Sequence, residues 1–225
     1  NAVGGHVQLG VVSRTMHDPG LLRRLQDGDP HGDMRRAIST VPIPGVGDEV
    51  LRRYFHPDGR AKGAAYKALP MYKQVVSVAR QRVTVLANFV EVWLAKEGHT
   101  GKVGINLLTK VQMPNLASLY GAMLADVDVV IMGAGIPRSI PGVLDQLARG
   151  EAVQLKIDVE GALPGEEFFS KFDPAAFCGG HAPALKRPLF LGIVASATLA
   201  MTLARKSNGR VDGFVVEGET AGGHS

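Results

Sequence analysis

Short, β-branched apolar runs alternate with helical stretches through the second half of the chain. This spacing predicts strands that are joined by helices, which is the pattern of βαβ units and of a parallel sheet. Right-handed crossovers leave two architectures, a closed barrel or an open doubly wound sheet, and periodicity does not choose between them. The predicted strands are Val103–Leu108, Val127–Met132, Val153–Val159, Leu189–Val194 and Val211–Glu217, and the predicted helices are Pro114–Ala125, Ser139–Arg149 and Ala197–Lys206.

The first half of the chain has a looser pattern. A strand is predicted at Val7–Ser13, and a longer helix is predicted from Leu86, with Gly98 as its C-terminal cap. Two stretches rich in proline and glycine, 41–70 and 161–187, are expected to be excursions from the regular alternation. Asp-Pro pairs supply an N-cap and a first-turn proline for two short helices, at Asp18-Pro19 and Asp29-Pro30.

Composition limits the classes of function. The chain has 225 residues, 45% of them hydrophobic, which is enough for one sizeable core, so we expect a single domain over 1–225. Its net charge of +4 comes from scattered basic residues, which argues against a nucleic-acid partner. The single cysteine, Cys178, excludes an internal disulfide and suits a reducing compartment. No apolar run has the length of a membrane span, and no secretory signal opens the chain, so we expect a cytoplasmic protein without a membrane partner.

Candidate site residues follow the predicted strands, because ligands of parallel α/β folds bind at the carboxyl ends of the strands. Asn106 is an amide inside an apolar strand, where either a bound ring or the neighbouring backbone would satisfy it. Gly133-Ala134-Gly135 is either a weak phosphate signal or only a tight turn, since no third glycine completes a dinucleotide fingerprint. Ser196 follows another strand. We find no His, Cys, Asp or Glu spacing typical of a metal site.

The richest candidate is the loop from Glu217 to His224. Its glycines, Gly222 and Gly223 among them, would let the backbone approach a planar or phosphorylated ligand closely. His224 could act there as a general base, since the unperturbed pKa of histidine lies near neutrality. The alternative is that Gly222-Gly223-His224 is only a tail at the end of the sequence.

Four segments together resemble the nitronate monooxygenases and, equally, the related flavin-dependent enoyl-acyl-carrier-protein reductases. The last of the four is the most specific, and the others support it by their order. The four are Val103-Gly104-Ile105-Asn106, Met132-Gly133-Ala134-Gly135, Ile193–Ala200 and Val211–His224.

The resemblance implies a (β/α)₈ TIM barrel with FMN across the carboxyl ends of its strands. It implies that Asn106, Glu217 (often Gln in relatives) and Gly222 bind the cofactor, and that His224 is the catalytic base. Gly223, Gly135 and Ser196 are weaker cofactor-binding candidates, chosen for their positions at strand ends.

The same resemblance implies that the barrel is incomplete. The first strand of the family and its last two strands, which carry the turns that hold the FMN phosphate, have no counterpart between Asn1 and Ser225. We therefore expect a fragment of a barrel with unpaired edges.

The expected function is an FMN-dependent oxidoreductase, in the first place a nitronate monooxygenase that oxidises alkyl nitronates with O₂. One alternative is an NAD(P)H-dependent enoyl-acyl-carrier-protein reductase, and another is a non-catalytic flavin- or acyl-binding partner in a biosynthetic cluster. The partner would be a small molecule, a nitronate or an enoyl thioester, and a homo-oligomer stays open.

Overall fold

The computed structural model describes residues 9–13, 16–73 and 75–218, which form an α/β protein. Its strands are β1 (Leu9–Ser13), β2 (Lys102–Leu108), β3 (Val129–Gly133), β4 (Val153–Ile157), β5 (Phe168–Phe172), β6 (Leu189–Val194) and β7 (Gly213–Val216). Its helices are α1 (Asp18–Gln26), α2 (Asp33–Ile38), α3 (Val46–Tyr54), α4 (Val78–Lys96), α5 (Asn115–Leu124), α6 (Ile140–Ala148), α7 (Pro174–Phe177) and α8 (Ala197–Lys206).

Five of the strands form one parallel sheet, in the order β1-β2-β3-β6-β7. This spatial order follows the chain order without a reversal, so right-handed crossovers carry the connecting helices to the same face of the sheet. On that face Val103, Ile105, Val130 and Met132 are fully buried, in one core with the helices. The parallel α/β arrangement predicted from the sequence is thus confirmed, whereas a closed barrel is not formed by the described strands.

The other face of the sheet is apolar but partly exposed. Leu9, Val11, Leu189 and Val215 lie on it with exposed fractions of 38, 44, 47 and 37%. A doubly wound sheet reverses its strand order and carries helices on both faces, and these five strands show no such reversal. The open face is therefore the second side of a singly wound sheet.

One predicted strand lies outside this sheet. The expectation that Val153–Val159 continues the βαβ alternation is wrong, because β3 pairs directly with β6, and β4 instead pairs antiparallel with β5. The burial of β4 alternates along the strand, which suits an antiparallel pair with one face in solvent. The predicted excursion 161–187 therefore contains β5 and α7. Phe172 at the end of β5 packs on Tyr120 of α5, with ring centroids 5.0 Å apart.

Helix α4 begins eight residues before the predicted start at Leu86. Its N-cap is Ser77, whose hydroxyl accepts a hydrogen bond from the Arg80 amide. The β-branched residues that obscured the start lie in the core, where packing outweighs their weak helix propensity. Gly98 follows the helix with φ of +79°, as expected of a residue that ends a helix.

Helix α5 packs so closely on α4 that a Cβ on Gly121 would lie 2.1 Å from the Val85 carbonyl oxygen.

The two Asp-Pro pairs act differently from the N-caps that were predicted. Asp18 is the first residue of α1, after His17 at the N-cap position, and its carboxylate faces Arg80. Helix α2 begins at Asp33, not at the Asp29-Pro30 pair, because Asp29 itself adopts a left-handed backbone with φ of +46°. The Asp29 carboxylate instead accepts from amides in the first turn of α2.

Among the described residues, no helix combines the length and apolar character that crossing a bilayer requires.

Carboxylates at the amino ends of the strands accept hydrogen bonds from the neighbouring strands. Asp128, directly before β3, accepts from the Val103 amide at 3.0 Å and from the Lys102 ammonium at 2.8 Å. Burial favours the neutral form of this carboxyl group, but these hydrogen bonds and the charge of Lys96 outweigh it and lower the pKa of Asp128 to about 2. This end of the sheet is held by satisfied polar groups.

Candidate functional site

The candidate site is the edge of the sheet where the parallel strands end. The residues predicted at strand exits all come to it: Asn106 lies near the end of β2, Gly135 follows β3, Ser196 follows β6 and Glu217 follows β7. Parallel strands lie about 4.8 Å apart, so Asn106 and Glu217, three strands apart in the sheet, are separated by roughly 14 Å across it. Gly222, Gly223 and His224 lie outside the described residues.

Asn106 lies on the open face of the sheet, beside Ser13 of β1 and Ile131 of β3. Its Nδ2 is 3.4 Å from the Ser13 hydroxyl, which is long for a hydrogen bond. Its Oδ1 is buried and has no hydrogen-bond partner among the described residues. A buried amide oxygen left in this state is uncommon, because the water it lost is not replaced. The sequence left two possible partners for this amide, a bound ring or the neighbouring backbone. Among the described residues, the backbone does not satisfy its oxygen.

Gly135 belongs to a strained turn that follows β3. Its φ is +138°, and a Cβ here would lie 3.1 Å from the Cβ of Thr109, so both conformation and space favour glycine. The preceding Ala134 has φ of +52°, a left-handed conformation that an alanine seldom adopts. The turn is bonded to the exit of β2, since the Thr109 amide donates to Gly133 at 2.9 Å and the Lys110 amide donates to Ala134 at 3.2 Å.

Ser196 and Glu217 mark the exits of the next two strands. The Ser196 hydroxyl is the N-cap of α8 and accepts from the Leu199 amide at 3.2 Å. It therefore has a structural task of its own, and its cofactor contact stays a prediction. The Glu217 amide donates to the Val194 carbonyl at 2.9 Å and continues the ladder between β6 and β7, while the residue is exposed.

A cavity of about 510 Å³ opens at the exits of β2 and β3, on the side of the β4–β5 pair. This is within the size range of small-molecule sites. Of the predicted site residues that the structure describes, Gly135 alone lines this cavity. The other lining residues come from the loops after β2 and β3, from the first turns of α5 and α6, and from β4.

Polar residues near this edge that sequence reasoning did not single out include a buried ion pair. Arg80 of α4 lies 2.6 Å from Asp18, which follows β1 by five residues, and both side chains are almost fully buried. The guanidinium also donates to Thr84 and stacks on Tyr72, 4.0 Å from the ring centroid. Burial raises the pKa of Tyr72 to about 12, so its hydroxyl stays protonated at neutral pH. This cluster was not predicted because Asp18 and Arg80 lie far apart in the sequence.

Thr109, the residue directly after β2, was also missed. Its Oγ1 is buried without a hydrogen-bond partner among the described residues, and it lines the cavity. Its position at a strand exit was the available signal, but a threonine after a strand is too common to single out.

Fold and site thus define an α/β protein with a singly wound parallel sheet and a polar, partly unsatisfied carboxyl edge. Comparison of the chain with protein-family models, with curated proteins and with solved structures gave no match. Any assignment of function therefore depends on the residues of the site themselves.

Proposed function

We propose that this chain is the greater part of an FMN-dependent oxidoreductase of the nitronate monooxygenase type, built on a (β/α)₈ barrel. The observation that carries the proposal is the unsatisfied Oδ1 of Asn106, which lies at the edge and on the face where the resemblance expects the flavin.

The sheet supports the barrel in two ways. Its strand order follows the chain, which a (β/α)₈ barrel requires of every consecutive strand. Its open face is apolar, as the inside of a barrel is, while the helices cover the outside. With β4 outside the sheet, five strands remain, and the three further strands that the resemblance implies would complete a barrel of eight.

The residues of the edge fit a flavin in one specific respect. A ring N–H would satisfy the Asn106 carbonyl oxygen, which no described residue reaches. Glu217 and Gly222 would hold the same cofactor from the exit of β7. FMN, when bound, would supply the redox chemistry of the reaction. The role of His224 would be to accept the proton from the carbon next to the nitro group of a nitroalkane, or to orient the nitronate.

Two measurements test the proposal. The first is the visible spectrum of the chain after incubation with FMN and removal of free flavin, for which we expect retained flavin; a colourless protein would contradict the proposal for this chain. The second is anaerobic mixing of the loaded protein with an alkyl nitronate or with NADPH. We expect the nitronate to bleach the flavin, whereas bleaching by NADPH alone would favour the enoyl-thioester reductase.

The catalytic role of His224 has its own test. Replacing a general base typically lowers turnover by roughly 10²–10⁴-fold, so we expect such a loss for His224→Ala with flavin binding retained. His181→Ala is the matched control, since His181 is exposed in the loop before β6. Equal turnover of the two variants would show that His224 is not the base.

A further inference from the structure

The cavity at the exits of β2 and β3 adjoins the turn that the proposed function places beside the flavin. Ala134 and Gly135 line this cavity and are both exposed, so a ligand can reach the backbone of the turn. The cavity also lies at the carboxyl ends of the strands, where parallel α/β folds bind their ligands. It is therefore an extension of the proposed flavin site and not a second site.

The lining of this cavity includes three large aliphatic side chains. Ile136, the next residue of the turn, is 55% exposed, and Leu155 of β4 is half-buried. Ile140, in the first turn of α6, is buried. Covering exposed aliphatic surface favours binding, because apolar groups of both partners then leave water. A ligand that covers Ile136 and Leu155 therefore needs an apolar part of its own.

The charged side chains of the lining compensate one another. Lys156 pairs with Glu167 at 2.8 Å, and the other two, Lys110 and Asp158, carry opposite charges. All three charged residues of the lining are exposed, so water solvates their charges. The cavity thus offers no net charge that would select an anion or a cation.

Hydrogen bonds join two of the segments that line the cavity. The Asp158 amide donates to Gln112 Oε1 at 2.7 Å, and Gln112 Nε2 donates to the Asp158 carbonyl at 3.3 Å. Because Gln112 follows β2 and Asp158 follows β4, this pair connects the loop after β2 with the end of β4. Segments that are already joined need less ordering when a ligand binds, which favours binding.

We propose that this cavity holds the alkyl chain of the substrate, which runs from the reacting carbon at the flavin past Gly135 to Ile136 and Leu155. The inference rests on the proposed function and extends it to a substrate class, the long-chain alkyl nitronates in preference to short ones. Ile136 and Leu155 are then residues that determine specificity.

Uncharged probes test the binding of an alkyl chain without flavin. Each methylene that leaves water tightens binding about 4-fold, so in calorimetric titration we expect 1-hexanol to bind at least about 10-fold more tightly than 1-propanol. The diol 1,6-hexanediol has the same chain length but must bury a second hydroxyl, so it should bind about 5- to 10-fold more weakly than 1-hexanol. Equal binding of the two alcohols, or of 1-hexanol and the diol, would overturn the proposal.

A substitution at the exposed isoleucine locates the bound chain. Ile136→Ala removes apolar surface from the cavity and should weaken 1-hexanol binding about 4-fold or more. The melting temperature should change little, because the Ile136 side chain is half exposed. Leu163→Ala is the matched control, since Leu163 is 66% exposed and does not line the cavity. If both variants bind 1-hexanol as the parent does, the chain does not lie on Ile136.

Steady-state kinetics of the FMN-loaded protein test the substrate class. We expect the KM of hexyl nitronate to be at least about 10-fold lower than that of propyl nitronate at a similar kcat, because the chain is bound equally in the ground and transition states. Ile136→Ala should reduce this preference, and equal KM values in the parent protein would refute the substrate class. A protein that retains no flavin, or that turns over neither nitronate, would contradict the proposed function, whereas the alcohol titrations would still decide whether the cavity binds an alkyl chain.

Discussion

Replacing Asn106 by leucine separates a binding role from a structural role of this residue. The buried Oδ1 has no partner among the described residues, and an unsatisfied acceptor of this kind costs about 1–3 kcal/mol. Among the described residues the side chain makes one bond, to Ser13 at 3.4 Å, which is too long to contribute much. Because Asn106 is only partly buried, we take the lower end of this range and expect Asn106→Leu to raise the free energy of unfolding by about 1 kcal/mol.

The same substitution should weaken FMN binding. Loss of one hydrogen bond to the flavin ring would raise the dissociation constant about 10-fold, which corresponds to about 1.4 kcal/mol. Urea unfolding and quenching of FMN fluorescence measure the two effects on the same preparation. Ser13→Ala is the control, since it removes the other end of the weak bond and should change both quantities little. A less stable Asn106→Leu variant, or one that binds FMN as the parent does, would refute the reasoning.

Three further substitutions test the fold. Gly121→Ala places a Cβ 2.1 Å from the Val85 carbonyl oxygen, so we expect a loss of about 3 kcal/mol or more in urea unfolding, and a loss below about 1 kcal/mol would contradict this close helix packing. Arg80→Met leaves the Asp18 carboxylate buried without its partner and should destabilise by about 3–5 kcal/mol, with recovery when Asp18→Leu is added; no recovery would argue against the pair as the cause. The pKa of Asp128 is lowered from 3.8 to about 2, so its contribution is present above pH 4 and is lost as the pH falls towards 2. Asp128→Asn should therefore lose about 2 kcal/mol at neutral pH and show a flatter acid limb, and an unchanged limb would refute this assignment.

Much of the sheet was predictable because its strands are apolar on both faces, although only the face that packs on the helices is fully buried. Val103–Leu108 and Leu189–Val194 were located within a residue for this reason. The exclusion of β4 from the sheet was not predictable, since its pairing with β5 depends on a contact across an excursion that has no regular pattern of its own. The early start of α4 was missed because its first turns contain β-branched residues, which have weak helix propensity. Their burial in the core outweighs this propensity.

The site was predictable to the extent that it depends on strand ends. Asn106 was predicted because it is an amide in an apolar strand, and its Oδ1 has no hydrogen-bond partner in the part of the chain that the structure describes. Thr109 could not be recognised, because whether a hydroxyl has a partner depends on how the turns after β2 and β3 meet. The role of His224 remains a prediction from the resemblance.

The polar groups at the two ends of the sheet differ in whether they have hydrogen-bond partners. At the amino ends, carboxylates satisfy backbone amides of the neighbouring strands: Asp128 accepts from Val103, and Asp212 accepts from Phe190 at 2.8 Å. At the carboxyl ends, Asn106 and Thr109 each keep a buried polar atom without a partner among the described residues. Satisfied polar groups stabilise the fold, whereas unsatisfied ones lower its stability and are tolerated where a ligand offsets the loss. The satisfied carboxylates therefore stabilise the amino edge, while the proposed flavin contact would satisfy the Asn106 oxygen at the carboxyl edge.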